Sequence, residues 1–218
     1  MNKYSLGGII FAMRAMAKKA GITLQICGNT AATNGKNIII PELPPDDEKS
    51  LIKARGYLDH ESGHIVHTDF TIPGSQWLNI LEDVRMEKAH AVHYPGIRYN
   101  TAELVRILVD EGSFSVDHRK DPLGLLMMWV LARLRNRILD QKAIAVREEE
   151  YEPIARRQLG DEFIDSMASI VDRVKDARST GDCQNLVDEI QKLIAQDPPP
   201  KDSKDSKDSK DSKDSKDS

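Results

Sequence analysis

Two histidines and a glutamate stand together in the segment Asp59-His60-Glu61-Ser62-Gly63-His64, an HExxH pattern. On a helix, positions four apart lie on one face, so the imidazoles of His60 and His64 can reach the same metal ion. A zinc ion suits such a pair, and when it keeps an open position it acidifies water and polarises a carbonyl. Glu61 lies about 100° around the same helix, where its carboxylate can take the proton of an attacking water. The spacing therefore predicts hydrolysis of an amide in a peptide or protein substrate, without a covalent intermediate. His60 and His64 would be Zn2+ ligands and Glu61 the general base.

Zincins of the gluzincin and aspzincin kind take a third ligand from a carboxylate downstream of the HExxH helix. Here the segment Asn79-Ile-Leu-Glu82-Asp83-Val-Arg85-Met-Glu87 begins fifteen residues after His64 and offers Glu82 or Asp83. Asp83 and Glu87 are four apart, so one can ligate while the other supports a ligating histidine from behind. Asp83 is the preferred ligand, with Glu82, about 100° around the helix, as the alternative. Glu87 and Asn79 are the expected supports. His67 shares the face of His60 and His64 but lies about 10 Å along the axis from His60, too far to bind the same ion. His90 and His93 read as helix-end residues, and Tyr94, Tyr99 or Arg85 are candidates to stabilise an oxyanion. Two histidines and one carboxylate also suit iron or manganese.

The elements that must position these groups are legible from periodicity and punctuation. Leu6, Ile9, Ile10, Met13 and Met16 recur at helical spacing and predict an amphipathic first helix closed by Gly21. Ile22 to Cys27 reads as a strand, and Thr30 to Ile40 as a hairpin turning at Asn34-Gly35. Asp46 or Asp47 can cap a helix that carries the motif to about His67, and Ser75 can cap a second that runs to about His93. Tyr94-Pro95-Gly96 should end that helix, Asn100 with Glu103 should start another to about Glu111, and Asp121-Pro122 should start an apolar helix to about Gln141. Two amphipathic segments follow near Asp161 to Ala177 and Cys183 to Ala195. The fold class expected is α+β and mainly α, with a small N-terminal sheet. Residues 1–145 should form the domain that holds the motif, 146–196 a C-terminal helical annex, and 197–218 a solvated Pro/(Lys-Asp-Ser) linker or tail.

Composition narrows the classes further. Hydrophobic residues are 39% and charged residues 30% of the 218, enough for one packed core. The net charge of -4 argues against a nucleic-acid partner. Arg133, Arg135 and Arg137 form the densest basic run and read as an ordinary solvated helix face without a function. The only cysteines, Cys27 and Cys183, are in no metal-binding or disulfide spacing, which fits a reducing cytoplasm. The longest apolar stretch, Leu123 to Leu134, is about twelve residues, too short to span a bilayer, and reads as a buried helix.

Three pieces in order carry a resemblance: Ala32-Thr-Asn-Gly-Lys-Asn-Ile-Ile-Ile-Pro41, then Gly56-Tyr-Leu-Asp-His-Glu-Ser-Gly-His64 running to Thr68-Asp-Phe70, then Asn79 to Glu87. With them the chain resembles the zincin-like domains found beside von Willebrand A domains and in CobT-like cobaltochelatase subunits, many of them phage-encoded. The resemblance implies a zinc metallopeptidase domain, a charged linker after it, and partnership with a von Willebrand A domain or a MoxR-type AAA+ ATPase. It also implies a host-cytoplasmic location for a phage-encoded member. The Lys-Asp-Ser repeat sits where such a linker would, and no substrate-binding strand is identifiable. A second function compatible with the same resemblance is a CobT-like scaffold subunit that keeps the fold and cleaves nothing.

Overall fold

The computed structural model describes residues 21–44 and 47–196; the expected first helix and the Lys-Asp-Ser tail lie outside them. Three strands come first: β1 (Thr23–Ile26), β2 (Ala32–Thr33) and β3 (Asn37–Ile40). The turn between β2 and β3 falls at Asn34-Gly35. Gly35 has φ +86°, and Asn34 Oδ1 accepts from the Asn37 backbone N–H at 2.9 Å. β3 pairs antiparallel with β2 and parallel with β1, giving the order β1-β3-β2 with β2 at an edge among the described residues. Leu24, Ile38 and Ile40 are buried with Tyr57, Leu58 and Ile65 against them, so the sheet packs on the helix that carries the motif.

Seven α-helices follow among the described residues: α1 (Glu48–His67), α2 (Gln76–His93), α3 (Gly96–Asp110), α4 (Pro122–Arg137), α5 (Ala145–Leu159), α6 (Asp161–Val171) and α7 (Thr180–Gln196). The architecture is α+β and mainly α, as the pattern predicts. Three of the starts are made by the expected caps. Asp47 accepts from Ser50 N at 2.9 Å, Ser75 from Leu78 N at 3.1 Å, and Asp121 from Gly124 N at 2.7 Å with Pro122 in the first turn.

Two glycines let α1 sit close to its neighbours. A Cβ on Gly56 would lie 2.5 Å from Leu104 Cβ and 2.9 Å from the Asn100 carbonyl of α3, and one on Gly63 would overlap Met86 Sδ of α2. The main core runs through α2 (Trp77, Leu81, Val84), α4 (Leu126, Trp129, Leu134), α5 (Tyr151), α6 (Ile164, Met167) and α7 (Val187, Ile190) as one apolar cluster. This core fixes the roll of α2 about its own axis, and with it the carboxylates that α2 presents to α1.

The structure corrects two element boundaries and adds a helix. α3 starts at Gly96, not Asn100, because Pro95 already has helical backbone at φ -57°. The Asn100 side chain is used instead to donate across to Asp59 Oδ2 at 2.7 Å. α4 stops at Arg137, and Asp140 at φ 59° turns the chain so that Gln141 points inward, 2% exposed. The charged stretch after Val146 is a helix, α5, despite Pro153 inside it. Buried Tyr151 and Ala155 flank the proline, and tertiary packing outweighs the lost backbone hydrogen bond.

Candidate metal centre

α1 and α2 pack so that the HExxH face meets the acidic face of α2. His64 Nε2 lies 3.2 Å from His60 Nε2 and 3.2 Å from Asp83 Oδ1, while His60 Nε2 lies 3.6 Å from the same oxygen. Ligands bonded at about 2.0–2.2 Å in a tetrahedron stand about 3.3 Å apart, so these three atoms have the spacing of one tetrahedral face. Among the described residues, this is the group of three potential ligands close enough to share one ion. The donor set of two imidazoles and a carboxylate suits zinc, and iron or manganese as well.

Both imidazoles are oriented from behind. His60 Nδ1 is 2.9 Å from Glu87 Oε1 and donates to it, so Nε2 is the ring nitrogen turned toward Asp83. His64 Nδ1 is 2.9 Å from Thr68 Oγ1, and Thr68 passes its own proton to Glu82 Oε1 at 2.7 Å. The second chain of bonds therefore also leaves His64 Nε2 as an acceptor or ligand atom. Glu87 lies behind His60, on the side away from Asp83. Asn79 is exposed on the wall of the adjoining cleft and bonds to neither histidine.

Glu82 and Asp83 have different surroundings. Glu82 is 2% exposed and takes Arg85 Nε on Oε2 at 2.7 Å, with Arg85 Nη2 at 2.5 Å and Thr180 Oγ1 of α7 at 2.9 Å on Oε1. Asp83 gives only Oδ2 to a cation, Arg135 Nη2 at 3.0 Å, and its Oδ1 faces the two histidines.

Arg135 overturns the reading of the basic run as a solvated face. Arg133 and Arg135 are 8% and 7% exposed. Arg135 bridges Asp83 Oδ2 and Glu87 Oε1, the latter at 2.9 Å, and Gln141 completes the brace by donating to Glu87 Oε2 at 2.8 Å. Arg133 pairs with Asp172, and Arg137 with Glu148. Charges as deep as those of Arg133 and Arg135 are tolerated only when paired, whereas Arg137 stays exposed as a solvated face would have it.

The electrostatics follow from burial set against these pairs. Burial pulls the His60 imidazole down, but Asp83 and Glu87 outweigh it and its pKa rises to about 9. Burial would raise Glu87, yet Arg135 and His60 outweigh it and hold it down at about 2. Asp83 is likewise lowered against burial by His60, His64 and Arg135. Glu61 is 4% exposed, and burial raises its carboxyl, with His60 and His64 opposing. That is the direction a proton-accepting carboxylate needs to work near neutrality.

The histidines and Glu61 open on a cleft of about 910 Å³. One wall is the sheet edge at Ala31, Ala32 and Thr33, and another is an apolar shelf of Met127, Met128 and Leu131. Arg85, Tyr94 and Tyr99, the candidates for stabilising an oxyanion, do not line it. His67, His90 and His93 lie together at the ends of α1 and α2, apart from the His60 cluster. Sequence reasoning missed Thr68, Arg135, Gln141 and Thr180. Thr68 carries a local signal, being four residues after His64; the other three reach the site from distant segments and carry none.

The fold and site define a mainly helical protein in which two helices bring two histidines and an aspartate to one point beside an open cleft. The chain belongs to the family described as Cobalamin biosynthesis protein CobT, whose model matches residues 8–218. No curated protein and no solved structure matches it. Among the described residues, no helix is long and apolar enough to cross a membrane.

Proposed function

We propose that the protein is a zinc-dependent metallopeptidase whose ion is held by His60, His64 and Asp83. The observation that carries this reading is the set of three ligand atoms at 3.2, 3.2 and 3.6 Å, on the lip of a cleft that also receives Glu61. Bound there, zinc would supply Lewis acidity to polarise a carbonyl and acidify water. The protein groups divide the remaining work. Glu61 takes a proton from the attacking water and returns it to the leaving amine. Glu87 and Thr68 engage the Nδ1 atoms, so the Nε2 atoms are the ones that would give up a proton and bind the ion, and Arg135 holds Asp83 with Oδ1 turned toward them. The edge of β2, unpaired among the described residues, can align an extended peptide by main-chain hydrogen bonds, and the methionine shelf can take an apolar side chain. A cytoplasmic setting accords with Cys27 and Cys183, both unpaired.

The decisive comparison is Glu61→Gln with the parent chain. The variant should keep its zinc and lose hydrolysis of a peptide library read by mass spectrometry; equal cleavage by both would sink the mechanism.

A second reading is favoured by the family match: a CobT-like subunit that uses this fold as a scaffold for a von Willebrand A or MoxR-type AAA+ partner and hydrolyses nothing. Such a protein would bind the partner with undiminished affinity after His60→Ala and His64→Ala, and would cleave no peptide when loaded with zinc. An open cleft on the free side of the three ligands supports the enzyme reading over this one, since purely structural zinc sites close their fourth position with protein.

A further inference from the structure

Three of the six histidines gather at a second place on the same helix pair. His67 closes α1, and His90 and His93 lie in the last turn of α2. His67 Nε2 stands 3.3 Å from His90 Nδ1 with the ring planes at 71°. The His93 ring is nearly parallel to that of His67, with centroids 6.4 Å apart.

The bonds around His90 decide which of its nitrogens carries the proton. The Ser62 hydroxyl is committed as a donor to the Asp59 carbonyl at 3.0 Å, so it accepts from His90 Nε2–H at 3.3 Å. His90 Nδ1 is then an unprotonated nitrogen aimed at His67, with the opposite ring nitrogen held from behind. Metal-binding histidines are oriented in this way, and the HExxH histidines above share the pattern. A separation of 3.3 Å also matches two nitrogens on one ion at bonds of about 2.0–2.1 Å.

The surroundings keep the imidazoles uncharged. Burial, helped by His67 and His93, lowers the pKa of His90 to about 4, and burial, with Arg85 and His93, lowers that of His67, so both are neutral ligands at pH 7. Two helices end here, and the negative ends of their dipoles face the same region. Arg85 donates to the His67 carbonyl, but Glu82 pairs with its charge. His93 is exposed and His67 partly so, which gives an ion a path from solvent.

We propose that His67 and His90, with His93 swung in as a third imidazole, form a second transition-metal site, separate from the one at His60, His64 and Asp83. Because the third ligand is not already within reach, this site should be the weaker of the two and fill after the first.

The test is a Zn2+ titration of the full, chelator-stripped chain against a chromophoric competitor. It is run beside the double variants His67→Ala/His93→Ala and His60→Ala/His64→Ala. The parent should take up about two ions, the His67/His93 variant should lack the weaker one, and the His60/His64 variant should keep it. A parent that saturates at one ion overturns the proposal, and so does a second ion that persists in the His67/His93 variant. His67 and His93 sit at helix ends, so their loss spares the core, and circular dichroism checks that both variants fold. As an independent readout, Cu2+ added to the His60→Ala/His64→Ala variant should show nitrogen superhyperfine structure by electron paramagnetic resonance. An oxygen-only signal overturns the assignment. None of these outcomes depends on whether the chain cleaves peptides.

Discussion

Glu82 and Asp83 are neighbours on one helix, and the two regions they enter are built on opposite plans. On the Glu82 side, Arg85, Thr68 and Thr180 occupy both carboxylate oxygens and tie α2 to the end of α1 and to α7. On the Asp83 side, Arg135 takes one oxygen, and the other is left facing two imidazole nitrogens. A buried carboxylate with every lone pair satisfied by protein is a structural joint. One with a lone pair directed at other ligand atoms leaves room for a cation. The arginine makes the difference: Arg85 lies on the same helix as its partner and closes over it, whereas Arg135 comes from α4 and holds Asp83 from behind.

The largest effects should come from removing those arginines. Arg135→Ala leaves Asp83 and Glu87 as uncompensated buried charges and should cost about 3–5 kcal/mol in urea unfolding. Zinc should restore part of that loss, because the ion replaces the missing charge and binds the native state. Arg85→Ala should be destabilising to a similar degree but should gain no more from zinc than the parent. Equal rescue of both would erase the distinction between the two regions.

The carboxylates themselves give the next contrast. Asp83→Asn should abolish tight zinc binding, while Glu82→Gln should keep it and lose about 1–3 kcal/mol of stability. Glu87→Gln, which removes the charge behind His60 and beside Arg135, should weaken metal affinity about 10–100-fold by competition titration. If Glu82→Gln were the variant that lost the metal, the ligand assignment would be reversed.

Acidity should separate the supporting pair as well. Glu87 is lowered from 4.5 to about 2, so its contribution is fully present above about pH 4.5 and is lost as pH falls toward 2. His60 is raised from 6.5 to about 9, so its contribution is complete below about pH 6.5 and is lost as pH climbs through 9. In chelator-treated chain the contact should therefore be strongest between about pH 4.5 and 6.5, and Glu87→Gln should flatten the stability profile on both sides of that window.

The smallest effect expected is that of Thr180→Val, which removes the hydrogen bond donated to Glu82 and the one accepted from the Asp69 backbone N–H. About 1–2 kcal/mol of stability should go, with zinc affinity unchanged.

Much of the local structure was legible beforehand because its causes are local. Asp47, Ser75 and Asp121 cap helices through their own side chains, and Asn34-Gly35 turns the hairpin through its own backbone. Where a residue had both a local and a distant use, the local reading failed. Asn100 resembled a cap but bonds across to Asp59, and Gln141 resembled the end of a helix but braces Glu87. Arg133 and Arg135 of α4 resembled a wet surface, as exposed Arg137 is, because nothing in their own segment reveals the acidic partners on α2 and the turn after α6.

The sequence by itself determined that His60 and His64 share a face with Glu61 beside them, since the helical repeat places side chains four apart together whatever surrounds them. It also determined that an acidic helix would follow within reach. Only the tertiary structure decided that Asp83, not Glu82, would turn to the histidines, and that Arg135 would stand behind it. Neighbours on a helix differ by about 100° in direction, and that choice is made by the roll of α2. The roll is set by how Trp77, Leu81 and Val84 seat in a core whose other residues come from four separate helices.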